Sequence, residues 1–78
     1  MLEKFKQYLD NEYHETKTAL TKDWCTNKED AVWYAIQRCL GVAQFVTMID
    51  DSIPFAIVES LYTEYMEALS ELLIEEER

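Results

Sequence analysis

Apolar residues recur at helical spacing from the start of the chain: Leu2, Phe5, Leu9, Tyr13 and Leu20, with Tyr8 beside them. This spacing places them along one side of an α-helix, so the pattern predicts a first helix over about 2–20. Lysines and glutamates fill the other side, as in a helix with one face packed and one face wet. The stretch TKDWCTNKED then breaks the period. Thr26 followed by Glu29 fits a capping box, in which each side chain satisfies a backbone N–H at the start of the next helix. Glu29 and Asp30 fall in the first turn, where the helix dipole favours negative charge. A second helix is predicted over about 27–50, and Trp24, just ahead of it, could fold back over the bundle end as a lid.

DDSIPF is the second break. Proline is tolerated only in a helix's first turn, so Pro54 marks a start, with Ser52 or Asp51 as the expected cap. The third helix is predicted over about 54–75. Phe55, Val58, Tyr62, Tyr65, Leu69 and Leu72 alternate steps of three and four, which is a heptad seam. Leu61, Ala68 and Leu73 widen that seam. Glutamates at the C-terminal end oppose the dipole, so the last turn is expected to fray. Three helices joined by short connections predict an all-α, up-down-up bundle forming a single domain over residues 1–78.

The middle helix has too much apolar surface for that bundle. Residues 31–49, AVWYAIQRCLGVAQFVTMI, hold one charge, Arg38, and two amides, Gln37 and Gln44. On a helical wheel the apolar positions from Ala31 round to Trp33 cover an arc of about 200°, whereas a surface helix needs a stripe only somewhat wider than about 100°. Beyond the two glutamines, Tyr34, Gly41, Phe45 and Met48 make a further apolar patch. Two neighbours cannot cover both regions, so a second copy of the chain is expected to do so as a C2 homodimer. The candidate self-association or partner surface comprises Ala31, Ala35, Cys39, Val42, Ala43, Val46, Tyr34 and Phe45. Ala31, Ala35, Cys39 and Ala43 repeat every four residues and let another helix approach closely. The plainer reading is that this row accommodates the first or third helix of the same chain. A membrane span is disfavoured, because Arg38 and both glutamines lie mid-segment and acids flank each end.

Composition narrows the class. One Gly and one Pro in 78 residues leave too little turn chemistry for an all-β fold. The formal charge of −9 has the wrong sign for direct binding to a nucleic-acid backbone. Most of that charge lies late in the chain, where Glu64, Glu67, Glu71 and Glu75 share one helix face, with Glu59, Glu76 and Glu77 nearby. The face either keeps the protein solvated or meets a basic partner. His14 is the single histidine, and Cys25 and Cys39 lie fourteen apart without companion ligands for a metal. No glycine loop for phosphate exists, so no cofactor, metal or catalytic residue is expected. Two cysteines and an opening without an apolar leader run suggest a reducing, cytoplasmic setting. The expected function is that of a non-enzymatic interaction module working as a homodimer. The alternative is an acidic inhibitor that imitates nucleic-acid charge, with the size and charge of many small phage and mobile-element proteins.

Overall fold

The computed structural model describes residues 2–22, 24 and 26–77, the last two by backbone alone. Three helices make up the fold: α1 (Leu2–Ala19), α2 (Lys28–Ile49) and α3 (Phe55–Glu77). No strand occurs among the described residues. All three helices pack against one another within a body of 42 × 19 × 17 Å. At about 1.5 Å per residue, helices this long fit that cross-section only side by side along the long axis. Short connections then run neighbouring helices antiparallel.

The ends of the helices are closed differently from the expected caps. Asn27, rather than Thr26, caps α2: its side chain accepts the Asp30 backbone N–H at 3.1 Å. Asn is among the strongest N-cap residues, and it stands three positions before Asp30, the reach the motif requires. At the other end of α2, the Asp50 N–H donates to the Val46 carbonyl at 3.1 Å, and the Asp50 carboxylate accepts the Ser52 N–H and hydroxyl. Ser52 is thereby engaged backwards and does not cap α3. The Pro54 carbonyl instead takes the first bonds of α3, from the N–H groups of Ile57 at 3.0 Å and Val58 at 3.4 Å. Proline thus stands just outside the helix, and α3 continues past the expected end to Glu77.

The core joins Phe5, Leu9 and Leu20 to Val32, Ala35, Cys39, Ala43 and Val46 of α2 and to Val58, Leu69 and Leu72 of α3. Small residues along α2 let the other two helices come close. The seam of α3 is only partly interior, since Tyr62 and Tyr65 are half-buried and Phe55 is two-thirds exposed. Burial pushes the Cys39 thiol up to about 11, with the Glu12 charge adding to the effect.

Glu12 itself lies inside, at a seam position of α1 between Leu9 and Thr16. Arg38 Nε donates to its Oε1 and Oε2 at 3.0 and 3.2 Å, and Nη2 donates to Oε2 at 2.9 Å. The Tyr8 hydroxyl adds a bond to Oε1 at 3.2 Å. Burial, then the adjacent carboxylate, pushes the Tyr8 phenol up to about 12. The carboxylate side chain is 10% exposed and the guanidinium side chain 52%, so the arginine reaches in from the surface to satisfy a buried acid. Removing the arginine strands that acid. Arg38→Met should destabilise the fold by about 2 kcal/mol, while Glu12→Met/Arg38→Met together should recover most of the loss. Urea denaturation of the two variants and the parent checks both.

Candidate interaction surface

The buried positions of α2 fall on one side of the helix, which leaves its opposite side outside the bundle. Ala35, Cys39, Ala43 and Val46 are buried and Ala31 and Val42 half-buried, so this row packs within the chain's own bundle and is not offered to a partner. Tyr34 and Phe45 are more than half exposed. Trp33 and above all Met48, at 80% exposure, extend the same outer side, while Ile49 stands at its edge, in line with Ala31. The rings of Trp33 and Tyr34 meet edge to face with centroids 5.3 Å apart. The candidate residues named above therefore divide, with the small ones inside and the aromatic pair on the surface.

Three features define the outer face of α2. First, no acid stands between Ala31 and Ile49, and the one cation, Arg38, is neutralised by Glu12. Second, its polar groups are the exposed amides Gln37 and Gln44. Third, Gly41 lies among these residues, and a methyl group built at its Cα would meet nothing within 4 Å. The bundle does not need a glycine there, yet glycine within a helix costs about 1 kcal/mol relative to alanine.

Beside this face, Leu40, Ala43, Gln44 and Thr47 of α2 and Phe55, Val58, Glu59 and Tyr62 of α3 line a largely apolar groove of about 220 Å³. Phe55 is a wall of that groove instead of the core residue expected of it. The Phe55 position precedes the point where α3 closes on α2 at Val58. Trp24 is likewise no lid: it is 72% exposed and walls shallow grooves with Ala19, Ala31 and Tyr34.

The acidic residues of α3 lie on its outer side. Glu59, Glu64, Glu67, Glu71 and Glu75 are all exposed, and α3 carries no basic residue. Asp10 of α1 accepts a hydrogen bond from Tyr65, which raises that phenol to about 12 through the bond first and burial second. His14 is exposed, with its ring edge-on to Tyr13 at 5.4 Å. Cys25 lies outside the described residues. Among the described residues no group of three or more His, Cys, Asp or Glu is placed to hold a metal ion, and no helix is long and apolar enough to cross a membrane.

No protein-family model matches the chain, and no curated protein or solved structure is significantly similar to it. The surface must therefore be read from its own chemistry. Gly41→Ala should raise the stability of the unassociated chain by about 0.5–1 kcal/mol, since the added methyl meets open space and the unfolded chain loses freedom. Urea unfolding followed by circular dichroism at submicromolar protein checks this.

Proposed function

We propose that this protein acts by binding rather than by catalysis, as a small interaction module that pairs with a second copy through the outer face of α2. The observation that carries the reading is an acid-free face bearing Trp33, Tyr34, Phe45 and Met48 on a chain of net charge −9. Scaling each exposed fraction to the 150–250 Å² of a large side chain gives about 500 Å² of apolar surface per chain. That is near the upper limit for the largest patch on an ordinary monomer. Doubled across a two-fold axis, it comes to about 1,000 Å² in total, the threshold of specific interfaces. The cytoplasm suits the cysteine usage, with Cys39 a buried thiol.

The pairing is tested by absolute mass. Light scattering behind a sizing column, from micromolar to submillimolar protein, should give twice 9.3 kDa. Met48→Glu should return the monomer with its helicity unchanged, because a carboxylate on this face would be desolvated without a partner. A monomer of the parent chain at every concentration overturns the proposal.

The exposed glutamates of α3 support a second reading, in which the acidic face occupies the nucleic-acid-binding groove of a basic protein. A charge-driven complex of this kind weakens steeply with salt. Reversing Glu64, Glu67 and Glu71 to Lys together should abolish displacement of nucleic acid from such a protein while leaving the mass in solution unchanged. Undiminished displacement by the triple variant would exclude the mimic.

A further inference from the structure

The outer face of α2 has an internal order that specifies how two copies meet. Tyr34, Gln37, Gly41, Gln44 and Met48 step by three, four, three and four residues along it. That spacing is the seam of a shallow helix crossing, separate from the side of α2 that packs inward. Gly41 sits at the centre of the seam, with nothing within 4 Å of where its side chain would stand. Its missing side chain makes room that no part of the bundle uses, and the backbone there is open to close approach from outside.

The residues around Gly41 are arranged for a two-fold axis. Tyr34 and Met48 are each seven residues from it, two turns away in either direction, and within about 20° of it around the helix. In an antiparallel crossing centred on Gly41, Tyr34 of one copy therefore faces Met48 of the other. Tyr34 then lies on a flexible thioether, a favourable sulfur–aromatic contact. A parallel pairing would stack the Trp33 and Tyr34 layers on themselves at one end and Met48 and Ile49 on themselves at the other. The helices would splay at the first end and pinch at the second, which is incompatible with closest approach at the middle. The antiparallel register makes the two ends equally thick and sets the helix dipoles head to tail.

Charge selects a second copy as the occupant. Two chains of net charge −9 repel wherever their acids meet, and the acid-free surface between Ala31 and Ile49 lets like-charged copies touch. A basic partner would find no carboxylate on this face to pair with.

Resting on the pairing proposed above, we infer that two copies cross antiparallel through α2 with the two-fold axis at Gly41, placing Tyr34 of each chain against Met48 of the other. Oxidative cross-linking tests the register in a Cys25→Ser background, where the remaining native thiol, Cys39, is buried. Gly41→Cys should link to itself efficiently. Tyr34→Cys and Met48→Cys should each fail to link alone, because their symmetry mates lie roughly 21 Å apart, far beyond the ~7 Å limit for a disulfide. An equimolar mixture of those two variants should give roughly tenfold more linked dimer than either alone. Self-linking of both Tyr34→Cys and Met48→Cys would show parallel pairing and overturn the inference. So would the absence of any link in a protein that light scattering finds dimeric and Met48→Glu dissociates, an outcome that leaves the proposed pairing standing. A parent chain that stays monomeric removes both. Gly41→Leu supplies an independent measure: it should weaken dimerisation at least tenfold with the thermal midpoint of the dilute chain unchanged or raised. Undiminished dimerisation by Gly41→Leu would place the crossing elsewhere.

Discussion

The orientation of α2 against α1 turns on the clasp between Glu12 and Arg38. A carboxylate at a seam position of α1 is incompatible with a dry core unless a cation reaches it, and Arg38 does so from the surface with two nitrogens. Tyr8 supplies the third donor. Such a pair contributes little net stability compared with well-packed apolar residues, and its value lies in specifying geometry. Arg38 meets the acid in one rotational setting of α2. That setting turns Ala35, Cys39 and Ala43 inward and leaves Tyr34, Gly41, Phe45 and Met48 outside. The same contact that fixes the register of the two helices therefore also fixes which face remains exposed, and removes the charge beside it.

Much of this arrangement was legible in the sequence. The three helices follow from periodicity, because runs of eighteen to twenty-three residues with few turn formers leave little choice. The excess of apolar surface on α2 is equally plain on a helical wheel. The wheel could not say which part of a 200° arc the chain would cover itself. That depends on where α1 and α3 settle, and the row of small residues Ala35, Cys39 and Ala43 proved to be the inner side because it allows the closest packing. Tyr34, Gly41, Phe45 and Met48, set apart on the wheel by two glutamines, form the outer side.

Glu12 escaped the sequence reading because acidic residues on an amphipathic helix are ordinarily wet. The signal was its position: Leu2, Phe5, Leu9, Glu12, Thr16 and Leu20 form an unbroken series of steps of three and four. An acid inside such a series, in a chain with one arginine before its final residue, identifies a buried pair. The caps, rather than the helix boundaries, departed from expectation, for a local reason. Thr26 and Asn27 are adjacent and both can cap, and only the backbone geometry decides between them. Similarly, Ser52 is a plausible cap for α3 until Asp50 claims its hydroxyl.

The acidic side of α3 gives the molecule an electrical orientation. On α1 the exposed Lys4, Lys6 and Lys17 balance the exposed Glu3, Asp10 and Glu15, while every exposed charge on α3 is negative. The centres of positive and negative charge are thus displaced across the short axis of a slender body 42 Å long and under 20 Å thick. A particle built in this way experiences a torque in any external field. Near a charged surface it turns before it touches, presenting the same flank each time, and its encounters are selected by rotation as well as by collision.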